Sequence, residues 1–150
     1  MILERLRATV GTTFGPGAWI RLDQARIDAF ADVTGDRQWI HVEPARAAAS
    51  AFGGTVAHGY LTLSLIAAAH FDLGVFPPDE GVRVINYGLD EVRFLAPVAS
   101  GSRVRTSITV DEAADRRRGR VLLRTSSRVW VEGMPKHAVA AEALFLVLPD

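Results

Sequence analysis

The chain has 150 residues, with 17 basic and 17 acidic side chains, four histidines and no cysteine. Balanced charge gives no positive field to hold a phosphate backbone, which argues against a nucleic-acid partner, and the lack of cysteine excludes disulfides, thiolate metal sites and a thiol nucleophile. The length fits one domain, residues 1–150, able to bury roughly two-thirds of its unfolded surface.

The N-terminal residues mix Glu4, Arg5 and Arg7 with apolar neighbours. No stretch is apolar enough for a signal peptide or a membrane span, so a cytoplasmic protein without membrane contact is expected. Residues 19–22 read as a short strand. Asp23 suits a helix N-cap, Ile27, Phe30 and Ala31 follow at helical spacing, and Gly35 suits the position just past the helix end. Pro44 suits the first turn of a next helix carrying Ala47, Ala48 and Ala51. Asp36 and His41 thus bracket an excursion between two helices. On one helix, at roughly 100° per residue, they would point about 140° apart, so cooperation between them requires a loop. These residues alone leave open that Asp36 is a turn residue and His41 an ordinary surface histidine.

Residues 60–73 form an apolar run of helical length without proline or glycine, the expected fully buried helix. After a break at Pro77 and Pro78 come four strand-like segments, near 82–94, 103–112, 120–131 and 136–147. Turn residues at 97–101, 115–119 and 133–135 separate them. Alternation is clearest in Val104, Thr106, Ile108 and Val110. One early strand, a buried helix and four consecutive antiparallel strands predict an α+β chain whose sheet wraps around a central apolar helix.

The run Gly35-Asp36-Arg37-Gln38-Trp39-Ile40-His41, with Ala57-His58-Gly59 downstream and Val92-Arg93-Phe94-Leu95-Ala96-Pro97-Val98 beyond it, resembles the MaoC-type, R-specific enoyl-CoA hydratases of the hot-dog fold. The resemblance covers about 18–148. In that family the motif reads Gly-Asp-x-Asn-Pro-x-His. The resemblance implies that Asp36 and His41 hold the reacting water, and that Gly59 opens the central helix and offers its amide to a thioester carbonyl. Gln38-Trp39 departs from the usual Asn-Pro. Glutamine keeps the amide one methylene further out, whereas tryptophan frees the φ that proline fixes and adds a large ring. A branch similar to nodulation-protein N-like hydratases shares this variant and the stretch Ile85-Asn86-Tyr87-Gly88-Leu89. Gln38, Trp39, His58, Asn86 and Tyr87 are therefore expected with Gly59 at the substrate site. Trp39 either narrows the acyl pocket or fills the interhelix loop, and His58 either orients the turn or touches substrate.

Adding water to an enoyl thioester needs a base for the water, an acid for C2 and stabilisation of the enolate-like oxygen between them. Asp36 is the expected base, His41 the expected acid and the Gly59 amide the oxyanion donor. The implied activity is R-specific hydration of trans-2-enoyl-CoA, or the reverse dehydration, with coenzyme A or acyl carrier protein as the thioester carrier. No cofactor is expected. No metal is expected either, since the histidines lack HExxH or similar spacing, and Ser64 lacks a nucleophile-elbow context. His70 and His137 read as packing or surface residues. Arg93, Arg103 and Arg105 are either rim contacts for coenzyme A phosphates or a solvated strand face, and Arg116 to Arg118 a solvated turn. A hot-dog sheet leaves an open edge strand and its helix needs further cover, which predicts a homodimer. Two alternatives remain at this point. A hot-dog thioesterase typically carries a carboxylate on the central helix, where residues 60–73 offer only Asp72 at the far end. A non-catalytic, acyl-thioester-binding subunit of a hydratase heterodimer would be expected to lack the Asp or the His.

Overall fold

The structure, a computed structural model, describes residues 2–76 and 81–149. Helix α1 (Ile2–Ala8) and the two-residue strand β1 (Thr13–Phe14) precede β2 (Ile20–Leu22), the first element visible in the sequence. Both escape pattern reading because they are too short to show a period, yet Leu6 of α1 is fully packed beside Val75 and Phe76. Helix α2 (Gln24–Thr34) is bounded as its sequence predicts. The Asp23 carboxylate accepts the Arg26 amide at 2.9 Å, and Gly35 ends the helix at a φ of 80°.

Two single-turn helices follow, α3 (Trp39–Val42) and α4 (Pro44–Ala48). The expected loop between Asp36 and Pro44 is therefore corrected: Asp36 lies on it, but His41 rides one helical turn. Pro44 opens α4 as expected, while Ala51 lies beyond its end.

Helix α5 (Gly59–Asp72) leads to the long strands β3 (Val82–Phe94), β4 (Ser102–Arg116), β5 (Arg120–Val131) and β6 (Val139–Pro149). The proline break at 77–78 lies outside the described residues. Strand β6 starts three residues later than expected, after a turn at Glu132 and Gly133, where Gly133 has a φ of 82°, and an irregular stretch up to Ala138. The strands pair antiparallel in the order β1-β4-β5-β6-β3, with β2 beside β1 on the β4 edge. Chain order and sheet order thus disagree at β3, which is a neighbour of neither β2 nor β4. After β3, on one edge, residues 95–101 cross the fold to reach β4, and they meet the segment 55–57 on the way through the Ala57 amide on the Val98 carbonyl at 2.8 Å.

The predicted alternation is the inner face: Val104, Thr106, Ile108 and Val110 of β4 all point inward, as do Val121, Leu123, Thr125, Ser127, Val129 and Val131 of β5. Helix α5 lies against this face. Leu61 and Ile66 join a cluster with Val104, Val129 and Val139, and Ala69 and Leu73 join a second with Ile108, Leu123 and Phe145. The sheet wrapped around an apolar helix is the hot-dog arrangement.

One expectation about α5 fails. The helix is not buried all round, since Tyr60 is 70% exposed and Phe71 54%. The sheet covers one side only, and the open side continues from Tyr60 onto Tyr87 and Leu89 of β3. His70, by contrast, is completely enclosed. Its Nδ1–H donates to the Ile66 carbonyl at 2.7 Å, its Nε2 accepts from the Thr125 hydroxyl at 2.9 Å, and Phe76 and Phe145 pack against its ring. Burial pulls its pKa down to about 4, so it is a neutral core histidine. Among the described residues, no helix is long and apolar enough to cross a membrane.

Candidate active site

The glycine cap of α2 turns the chain into a tight bend. The Thr34 hydroxyl accepts the Asp36 amide at 3.3 Å, and the Asp36 carboxylate accepts the Gln38 amide at 3.4 Å, an Asx-type turn that leaves Asp36 exposed at the mouth of the site. Gln38 then opens α3 without a side-chain cap bond. On α3, the His41 ring is buried, and its Nδ1 lies 2.6 Å from the Val56 carbonyl oxygen. A carbonyl only accepts, so Nδ1 carries the hydrogen and Nε2 is the nitrogen left for chemistry.

The segment 55–59 completes the site. The Val56 amide donates to the Ile40 carbonyl at 3.0 Å, fastening this segment beside α3. The Gln24 side chain ties the same two pieces from below, donating to the His41 carbonyl at 2.7 Å and accepting from the Thr55 hydroxyl. Sequence reasoning passed over Gln24, Thr55 and Val56, which belong to no motif; their roles exist only once the two segments meet.

The His58 ring stacks on that of His41 with centroids 3.9 Å apart and planes 24° from parallel. Its Nε2 lies 2.9 Å from the Asp36 carbonyl oxygen. Asp36, His41 and His58 each bring a donor atom to within 4.8 Å of the others. The next residue, Gly59, is the first of α5. Its amide has no intrahelical acceptor and sits at the positive end of the helix. A cavity of about 300 Å³ opens here, lined by His41, Gly59 and Thr62 together with Phe52, Phe94 and Leu95.

Of the remaining expected site residues, Gln38 stays beside Asp36 and the others lie outside the His41 cavity or at a second one. The Trp39 ring lies under the Arg46 guanidinium, 4.4 Å from its centroid, and is not among the residues lining the His41 cavity. Gln38 is exposed beside Asp36. Asn86 and Tyr87 line a second cavity of about 430 Å³, between α5 and β3, with Tyr60 and Ser64. Arg103 pairs with Glu132, Arg105 lies 4.2 Å from the Trp19 ring centroid, and Arg93 is 3.8 Å from Glu91.

The chain is similar to known proteins in sequence and in fold. The family model described as "MaoC like domain" matches residues 5–133. The 3-hydroxyacyl-thioester dehydratase Z of Mycobacterium tuberculosis is 44% identical over 140 residues, 93% of this chain and 91% of that protein. Nodulation protein N of Rhizobium leguminosarum bv. viciae is 49% identical over 131 residues, covering 87% and 80% of the two chains. Among solved structures, the (R)-hydratase of A. caviae involved in PHA biosynthesis superposes with a TM-score of 0.69 at 28% identity, over 91% of this chain and 94% of that one. With a matching family model, a matching fold and relatives aligned along nearly the whole chain, the protein belongs to the MaoC-like family and is an enzyme of its hydratase and dehydratase class.

Proposed function

We propose that the chain catalyses R-specific hydration of a trans-2-enoyl thioester, and the reverse dehydration of the R-3-hydroxyacyl thioester, on one water held between Asp36 and His41. The observation that carries this reading is the His41 ring, with Nδ1 held by the Val56 carbonyl and a nitrogen within 4.8 Å of the Asp36 carboxylate, at the opening of α5, where the Gly59 amide has no acceptor within the helix. In hydration, Asp36 takes a proton from the water as its oxygen bonds to C3. The π electrons of the C2–C3 bond shift toward the thioester oxygen, which the Gly59 amide steadies, a hydrogen on Nε2 of His41 passes to C2, and the proton that Asp36 took from the water then moves to Nε2, so both groups end as they began. Both groups reach the substrate from one side, so addition is syn.

The working unit in this reading is a homodimer. Strand β3 is an edge of the sheet, and Tyr87 and Leu89 on it, with Tyr60 and Phe71 of α5, leave apolar side chains open. Pairing β3 with its copy across a two-fold axis covers them and closes the cavity beside Tyr87 between two chains. The carrier is coenzyme A or acyl carrier protein. The experiment is an assay of purified protein on crotonyl-CoA and longer enoyl-CoAs with chiral analysis of the product. R-3-hydroxyacyl-CoA is expected. An S product, release of free coenzyme A by hydrolysis, or binding without turnover would each overturn the reading.

A further inference from the structure

His58 touches all three parts of the reacting centre. Its ring lies against the His41 ring at 3.9 Å, its Nε2 reaches the Asp36 carbonyl at 2.9 Å, and its own carbonyl accepts the Leu61 and Thr62 amides at 3.0 and 3.2 Å, closing the first turn of the helix that Gly59 opens. Resting on the Asp36 and His41 reading above, we infer that His58 is a positioning residue: it locks the Asp36 main chain and the plane of the His41 ring into one geometry.

The tautomer follows from the partners. The Asp36 carbonyl can only accept, so the His58 hydrogen is on Nε2 and Nδ1 is a bare acceptor. That Nδ1 is buried, and it has no partner among the described residues. An unmade hydrogen bond of this kind destabilises the fold. An apolar ring would fill the same space without that cost, so packing alone does not account for histidine here. The hydrogen bond to the Asp36 carbonyl does. Asp36 sits on an exposed bend held by two long contacts of 3.3 and 3.4 Å, and the His58 bond ties that bend to the buried interior. The stack acts on the other partner. The Val56 carbonyl fixes one atom of the His41 ring, and the His58 face fixes the plane, which together set the direction of Nε2. Acid–base geometry that slips by about 1 Å loses on the order of a hundredfold in rate.

Two variants separate the two contacts. His58→Phe keeps a ring for the stack and removes the N–H, whereas His58→Gln keeps an N–H donor and removes the ring. Each is expected to lower kcat on crotonyl-CoA by about tenfold to a hundredfold with KM changed less than about threefold and melting temperature near wild type. In an Asp36→Asn background, His58→Phe is expected to cost little more, because its effect passes through Asp36. A second measurement is independent of turnover. Long-range 1H–15N spectra of the imidazoles should show hydrogen on Nε2 of His58 and on Nδ1 of His41, and His58→Phe should alter the His41 signals. A loss confined to KM would make His58 a substrate contact, and activity lost in proportion to melting temperature would make it structural. Unchanged kcat, or hydrogen on Nδ1 of His58, overturns the tether whatever reaction the enzyme runs.

Discussion

The Phe94 ring occupies the space where a side chain on Gly59 would begin: a β-carbon built on Gly59 meets Cδ1 and Cε1 of Phe94 at 3.0 Å. Phe94 reaches this position at the end of β3, just past a bulge between Asp90 and Arg93 where Glu91 adopts a φ of 47°. Bulges re-aim the side chains that follow them, here onto the open helix start. Phe94 is about half exposed, so its ring can yield outward. Gly59→Ala should therefore leave the melting temperature near wild type while lowering kcat/KM by about a hundredfold, the scale of one lost oxyanion donor. Adding Phe94→Ala distinguishes two causes. Recovery assigns the loss to the displaced ring, and no recovery assigns it to the new methyl group standing where the thioester oxygen must come. Normal turnover of Gly59→Ala would remove the close approach from the mechanism.

Asp36 and His41 differ in surroundings, one exposed at the bend and one buried on α3, and this decides how their variants should be read. Asp36→Asn changes an exposed carboxylate and should leave stability almost untouched. His41→Ala opens a gap under the His58 ring and leaves the Val56 carbonyl without its donor, so some loss of melting temperature is expected. Both should reduce turnover of an enoyl-CoA by at least about a hundredfold. The contrast is the check. Were Asp36→Asn to turn over at a near-normal rate, the carboxylate would have no part in the chemistry.

The long strands and α2 were legible because their signals are local. Asp23 and Gly35 mark helix ends by hydrogen bonding and a positive φ, and Val104 to Val110 alternate over enough residues to define a face. Where α5 is exposed was not legible. Its sequence is apolar on every side, and nothing in it tells which side the sheet covers and which it leaves open. At the candidate site, the motif pointed to Asp36, His41 and Gly59, but the way they meet depends on segments some twenty residues apart. The Gln24 clamp and the His58 stack follow from that meeting, so no spacing rule reveals them. Trp39 was legible only as two alternatives, the pocket or the interhelix loop, and its contact with Arg46 in the adjacent helix follows from no spacing rule.

Leu89 is about half exposed on β3, on the open apolar face that the dimer reading covers. Leu89→Lys places a charge there, and a buried unpaired charge is not tolerated at an interface core. Light scattering should show wild-type protein as a dimer and the variant as a monomer, with weakened activity on long enoyl-CoAs if the second cavity is completed by the partner. A wild-type protein that is monomeric and fully active at assay concentration would dispose of the dimer.

His70 makes stability depend on acidity in a direction that can be worked out. Its pKa is about 4 in the folded protein against an ordinary value of 6.5, so the unfolded chain takes up the proton first. The contribution of neutral His70 is fully present above about pH 6.5. It is lost as pH falls from there toward 4, and it levels off once the folded protein also protonates. The slope across that window is about 1 kcal/mol per pH unit, roughly 3 kcal/mol in all. Carboxylates titrate in the lower part of the same range, so the wild-type curve alone does not isolate this group. Denaturant unfolding of wild type and His70→Gln from pH 7 to pH 4 does, because the difference between the two curves cancels the shared carboxylates. Glutamine cannot protonate but keeps groups for the Ile66 carbonyl and the Thr125 hydroxyl, so the variant should start less stable and converge on wild type as the solution is acidified. Curves that stay parallel down to pH 4 would mean that His70 does not titrate on unfolding in this range.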